Sequence, residues 1–145
     1  MSAQPFRIYN SFNRQLEPFT PIEDGKVRLY VCGMTVYDNA HIGHARAMVV
    51  FDAFVRYLRF RGWDVNFVRN FTDVDDKIIR RAAEQGMEPM ELAEKYIRHF
   101  RRDADALGLI EPDSEPRVST SIQDIIDMIQ NLINKGHAYE SEGSV

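Results

Sequence analysis

The chain has 145 residues, of which 44% are hydrophobic, 11% aromatic and 28% charged: enough apolar material for one domain's core and too much for a disordered chain. Eighteen basic and twenty-two acidic residues leave a formal charge of −4, which excludes nucleic-acid binding by bulk charge but not a local basic face. No apolar run approaches the roughly 18 residues of a membrane span, MSAQPFRIYN lacks the basic start and apolar run of a secretory leader, and one cysteine, Cys32, cannot close an internal disulfide; a reducing cytoplasm is the expected compartment.

Residues 1–25 are mixed and turn-rich, broken by Pro5, Pro18, Pro21 and Gly25. Val27-Arg28-Leu29-Tyr30-Val31 is predicted as a short buried strand, followed by a loop from Cys32 to Ala40. A helix is predicted from about His41 to Arg61, with Met48, Val49, Phe51, Phe54, Val55 and Leu58 as its apolar stripe and Gly62 as its C-terminal stop. Trp63 to Phe71 alternates as a second strand. Thr72 is expected to open another helix, closed near Gly86. A further one starts at Pro89, a favoured first residue, and ends near Leu107 and Gly108. Glu111 to Arg117 is expected to be a polar connector, leading to Ser119 or Ser121 as cap of a helix that ends at Gly136. His137-Ala138-Tyr139-Glu140 is predicted as a last strand, with Ser141 to Ser144 as a hairpin turn.

Strand–helix–strand with a crossover of this length is a parallel βαβ unit, so the expected fold class is α/β with a right-handed connection. Two parallel strands alone do not make a self-sufficient domain, and the last strand has no visible partner. The chain therefore reads as the front part of something longer.

Ligands of open α/β folds bind where the first strand's C-terminal end meets the first helix, here Cys32 to His44. Neither a dinucleotide fingerprint nor a P-loop is present. Instead two imidazoles, His41 and His44, stand three residues apart at a helix start with Gly43 between them. Free N–H groups and the positive end of the helix attract an anion there, and two histidine donors suit a polyphosphate whose charge grows during transfer. Gly43, without a Cβ, lets a flat group approach the backbone. His-x-x-His is equally compatible with a capping and packing pair or with half of a metal site, and the residues alone leave these readings open. A lone cysteine is ordinarily a small buried hydrophobe; the place of Cys32, just past a strand end, keeps a ligand role open. Asp73, Asp75 and Asp76 could attract Mg2+, but they equally suit helix capping and the dipole. Arg98, Arg101 and Arg102 share a helix face, and Arg56, Arg59 and Arg61 a helix end; such clusters hold phosphates or are simply solvated and ion-paired.

His41-Ile42-Gly43-His44, after a strand and opening a helix, resembles the HIGH signature of class I aminoacyl-tRNA synthetases. Tyr30-Val31-Cys32-Gly33-Met34-Thr35-Val36-Tyr37-Asp38, Phe71-Thr72-Asp73-Val74-Asp75-Asp76-Lys77-Ile78-Ile79, Glu115-Pro116-Arg117 and Lys135-Gly136-His137-Ala138-Tyr139 resemble the cysteinyl-tRNA synthetase family in particular. The likeness runs along nearly the whole chain.

That resemblance implies the first half of a Rossmann-type parallel-sheet catalytic domain over residues 1–110, with the start of an inserted connective subdomain over 111–145. It implies a ligase that activates L-cysteine with ATP to cysteinyl-adenylate and transfers it to tRNA(Cys) in the cytoplasm, as a monomer when full-length. Met34, Thr35, Val36, Tyr37, Asp38, Asn39, Ala40, His41, Ile42, Gly43 and His44 would bind ATP, which carries Mg2+; His41 and His44 would be catalytic, and Gly43 would make room for adenine. Gly33, Thr72 and Asp73 would line the amino-acid pocket. Cys32 would be the first ligand of a zinc ion that reads the substrate thiolate, the other ligands lying past Val145. His99 and His137 fit no ligand spacing and are read as structural or surface residues. The chain alone is expected to be inactive, because the KMSKS loop and the remaining zinc ligands are not in it. Two alternatives are a non-catalytic nucleotide- or tRNA-binding homologue and the cysteine ligase of mycothiol synthesis.

Overall fold

The computed structural model describes residues 6–145. Their elements in chain order are β1 (Arg7–Asn10), β2 (Gln15–Pro18), β3 (Lys26–Val31), α1 (Ile42–Phe60), β4 (Asp64–Arg69), α2 (Asp76–Gln85), α3 (Pro89–Ala106) and α4 (Ile122–Asn134). β3 and β4 pair in parallel, from Lys26 opposite Asp64 to Val31 opposite Arg69, and α1 is the crossover between them, as a βαβ unit requires. The apolar stripe of α1 turns Val55 and Leu58 onto Val27, Val65 and Phe67 of the two strands, and all five are buried. Each such side chain contributes about 1.5–3 kcal/mol on leaving water. The helix stops at Arg61, and Gly62 takes a φ of 86° that a residue with a Cβ adopts only under strain.

A second core lies where α2 and α3 cover the far ends of the strands. Ile78 and Ala82 of α2 meet Leu92, Ala93, Tyr96, Ile97 and Phe100 of α3, with Val36 and Phe71 from the strand ends between them. α2 closes on Gly86 at φ 62° and α3 starts on Pro89, both as their residue types demand. α4 has no fully buried residue, and its Ile126 and Met128 are exposed.

Four local expectations are corrected. Residues 7–18 form an antiparallel hairpin, β1 with β2, rather than turns alone. Its flanking Phe6 and Phe19 pack on Trp63, with Phe6 also on Phe54 and Tyr57, so aromatic anchoring on the main body stabilises strands too polar to stand out. Thr72 does not open α2: Asp75 caps it, accepting the Lys77 N–H at 2.8 Å, while Thr72 stays extended beside Thr35. Glu111 to Arg117 is more than a connector. Asp113 N–H donates to Phe67 O, Arg69 N–H to Ser114 O, Phe71 N–H to Pro116 O and Val118 N–H to Phe71 O, so 113–118 runs as a third parallel line on the open edge of β4 and satisfies its backbone groups. Finally, His137 to Glu140 forms no strand, although Ser141 and Ser144 exchange both backbone hydrogen bonds in the expected tight turn. Glu142 and Gly143 both take positive φ there, the conformation of a type I′ turn.

Candidate functional site

The segment leaving β3 is fastened to its surroundings at several points. Val36 N–H donates to Thr72 O at 3.2 Å and Thr72 N–H to Met34 O at 3.3 Å, which extends the parallel pairing beyond the regular strands. Gly33 N–H donates to Asn70 Oδ1 at 2.7 Å. A Cβ on Gly33 would stand 1.6 Å from Asn70 O, so this crossing of the strand ends admits glycine alone. Further along, Asp38 Oδ1 accepts the Asn39 N–H at 2.8 Å, Arg81 reaches Asp38 Oδ2 at 3.4 Å, and Asn39 Oδ1 lies 2.7 Å from His99 Nδ1. His99 thereby ties α3 to the loop.

α1 begins on a reciprocal cap made by the two histidines. His41 Nδ1 accepts the Gly43 N–H at 3.1 Å, and His44 Nδ1 accepts the His41 N–H at 3.2 Å. The rings stack with centroids 3.9 Å apart. As long as each Nδ1 accepts a backbone N–H, each ring carries its single proton on Nε2, leaving one outward donor per ring. Burial, and next the proximity of His41, hold the His44 pKa below the ordinary histidine value, which favours this neutral form. The flat group lying against Gly43 is the His41 ring itself: a Cβ there would meet His41 Cε1 at 2.8 Å. The capping reading and the donor reading of His-x-x-His are therefore compatible, because the cap uses Nδ1 and leaves Nε2.

A cavity of about 310 Å³ opens between the strand ends, α1 and α3. Cys32, Gly33, Met34, Thr35, Tyr37 and His44 all line it, with Phe67 and Phe100 among its apolar walls. Three charged side chains also reach it. Arg69, only 8% exposed, donates to Glu115 at 2.5 Å and lies 4.7 Å from the Phe100 ring centroid; Glu115 also accepts from Arg101. Asp52 accepts the Ile110 N–H at 2.8 Å and Arg56 Nε at 2.7 Å. Burial alone would raise the Asp52 pKa, but these two hydrogen bonds and the Arg56 charge outweigh it and hold it below the ordinary carboxylate value. The third is Lys77, from the start of α2.

Other expected site residues fall elsewhere. The Val36 side chain is completely buried in the second core, so it does not face the cavity. Ile42 is 85% exposed. Thr72 and Asp73 do not line the cavity. Asp73, 1% exposed, accepts the Ser119 N–H at 2.9 Å and the Ser119 Oγ–H at 2.5 Å, so it anchors the third parallel line. With Asp75 engaged in capping, the acidic cluster does not converge on a cation. Cys32 is exposed, its Sγ near no acceptor but Gly33 O at 3.7 Å. Among the described residues no three His, Cys, Asp or Glu side chains come together to hold a metal; Cys32 by itself supplies one thiolate, which falls short of the four ligands of a zinc site.

The arginine clusters are mostly engaged. Arg56 pairs with Asp52, Arg59 with Asp113, Arg101 with Glu115 and Arg102 with Asp103, while Arg61 lies over the Tyr57 and Trp63 rings. Asn70, Ser119, Arg69 and Lys77 carry the site's construction although the sequence singled out none of them as a site residue. Lys77 alone had a local clue, a cation in the first turn of a helix where the dipole disfavours one.

Residues 18–145 match the family model described as the class I (C) tRNA synthetase catalytic domain. The chain is 58% identical over 136 residues to a cysteine–tRNA ligase of Alkalilimnicola ehrlichii, covering 93% of this chain and 29% of that protein. It is 54% identical over 143 residues to one from Cupriavidus taiwanensis (98% and 31%) and 52% identical over 139 residues to one from Trichlorobacter lovleyi (96% and 28%). It thus spans under a third of the length of these relatives. Among solved structures, a LeuRS from Agrobacterium radiobacter in a ternary complex with tRNA and LeuAMS superimposes with a TM-score of 0.67 at 23% identity, over 81% of this chain and 15% of that one, which shows a shared fold. No helix among the described residues is long and apolar enough to cross a membrane.

Proposed function

Because the chain belongs to the class I (C) tRNA synthetase catalytic-domain family, we propose that it provides the nucleotide-binding part of a cysteine–tRNA ligase, which joins L-cysteine to tRNA(Cys) through cysteinyl-adenylate. The observation that carries this reading is the His41–His44 cap beside a cavity that also contains Cys32. The partners are ATP, accompanied by Mg2+, L-cysteine and tRNA(Cys), and the setting is a cytoplasmic monomer.

In the activation step the cysteine carboxylate attacks the α-phosphorus of ATP, the bond to the bridging oxygen breaks, and pyrophosphate leaves with increased negative charge. Nε2–H donors fixed in direction by the cap need no reorganisation as that charge grows, which is how preorganised donors lower a barrier. The amide donors of the first turn of α1 add to the same potential. Met34, Thr35 and Tyr37 form the wall along which the nucleotide lies, and the Gly33–Asn70 crossing keeps that wall in register with β4. Asp38 and Asn39 act by holding the loop to Arg81 and His99, and Ala40 and Gly43 by letting the chain turn into α1. Cys32 suits one position of a zinc site whose other ligands these residues do not supply. We assign the exit towards an inserted subdomain to the residues after the paired 113–118 segment.

The test is cysteine-dependent exchange of pyrophosphate into ATP, measured on the natural gene product that carries these residues. Exchange with cysteine, lost in His44→Ala, is expected. Exchange that His44→Ala leaves intact would sink the assignment of the cap to the leaving group. The 145-residue chain alone is expected to give none.

A further inference from the structure

We propose that Lys77 is the cation of this site that binds the polyphosphate of the nucleotide. The inference rests on the nucleotide reading above and adds a residue to it.

The argument is one of charge. The two histidines supply donors but, in the capped form, no formal charge. Of the charged groups lining the cavity, Arg69 pairs with Glu115, a carboxylate it shares with Arg101, and Asp52 pairs with Arg56. Lys77 has no ion-pair partner among the described residues, so it leaves the cavity one unmatched positive charge. Its Nζ lies 5.7 Å from the centroid of the Tyr37 ring, and the two residues line the cavity together with His44 and Thr35. A second depression shares Lys77 and Tyr37 and continues over Arg80 and Arg81, where Arg81 is paired with Asp38 and Glu84.

The position is also costly for the helix. Lys77 follows Asp76, the first residue of α2, where a cation opposes the dipole. It is exposed and no carboxylate pairs with it; its one aromatic contact is with Tyr37, itself a residue of the cavity. An anionic ligand accounts for its placement: a triphosphate between the α1 cap and the α2 start would meet Nε2–H donors on one side and an ammonium on the other. The cysteine carboxylate is the other anion of the reaction, and the test separates the two.

The experiment compares Lys77→Met and Lys77→Arg with the unsubstituted protein in cysteine-dependent ATP–pyrophosphate exchange. Lys77→Met is expected to raise KM for ATP by about tenfold to a hundredfold, the loss of one charge-assisted hydrogen bond. KM for cysteine should stay within about twofold, and Lys77→Arg should recover most of the ATP affinity. Thermal unfolding should show no loss of stability in either variant. An unchanged KM for ATP would overturn the proposal while leaving the ligase reading intact, and a rise confined to cysteine would overturn it in favour of the carboxylate. Absence of exchange in the unsubstituted protein would remove the ligase reading and Lys77's role with it.

Discussion

Replacing Asp73 with alanine removes two hydrogen bonds at once, those from the Ser119 N–H at 2.9 Å and the Ser119 Oγ–H at 2.5 Å. Each hydrogen bond to an ionised acceptor is worth about 1.5–3 kcal/mol, so Asp73→Ala should cost about 3–6 kcal/mol. Ser119→Ala keeps the N–H bond and should cost about half of that. Against a domain stability of about 5–15 kcal/mol, the first change is severe and the second tolerable. In urea unfolding followed by the fluorescence of Trp63, the only tryptophan, a slope of about 1–3 kcal/mol per molar places the Asp73→Ala midpoint about 1–6 M lower. The double variant should be little worse than Asp73→Ala alone, because the hydroxyl bond is already gone, which corresponds to a coupling of about 1.5–3 kcal/mol. Additive effects, with a coupling below about 0.5 kcal/mol, would refute the anchor role. So would an Asp73→Ala protein of normal stability that fails only in cysteine binding, the behaviour of a pocket residue.

Two further predictions concern the strand ends and the histidine cap. Gly33→Ala should cost about 2–4 kcal/mol, combining overpacking with the lost Gly33–Asn70 hydrogen bond; the clash is with backbone, so no rotamer relieves it. Gly25→Ala, where nothing lies within 4 Å but φ is +75°, is the control and should lose only the smaller strain term in thermal unfolding; equal losses in the two variants would contradict the crowding argument. For the cap, a lowered folded-state pKa of His44 makes its stability contribution fully present above about pH 6.5, the unfolded value. That contribution is lost as pH falls through the folded value, since protonating Nδ1 ejects the His41 N–H. NMR titration of the His44 ring should give a midpoint below about 6.5, and a midpoint above it would refute the cap.

Much of the fold was legible because its causes are local. The stripe from Met48 to Leu58, the stop at Gly62, Pro89 at a helix start and the alternation around Val27 and Val65 each reflect a preference of the chain for itself, and the structure follows them within a residue or two. The helix after Phe71 was misplaced because Thr72 and Asp75 are both acceptable caps. The pairing of Thr72 with Thr35 across 37 positions of chain withdraws the first, leaving Asp75. The 113–118 line was unreadable for a related reason. Asp113, Glu115 and Pro116 have the composition of a connector, and what makes them a strand is the unpaired edge of β4, Arg59 and Arg69 taking the charges of Asp113 and Glu115, and Asp73 holding Ser119 at the end.

The site divides along the same line. The sequence by itself determined the family, the helix start at His41 and the cluster of residues from Cys32 to His44, since these are strings of neighbours. Tertiary structure decided which of them face the cavity. It turned Val36 into the core and Asp73 onto Ser119, and it brought Lys77 into the same cavity as His44, with Arg69 paired to Glu115 from a distant segment and Asp52 to Arg56 one turn along α1. Which charges remain free depends on every other charge within reach, and that reach is set by how the chain packs rather than by its order.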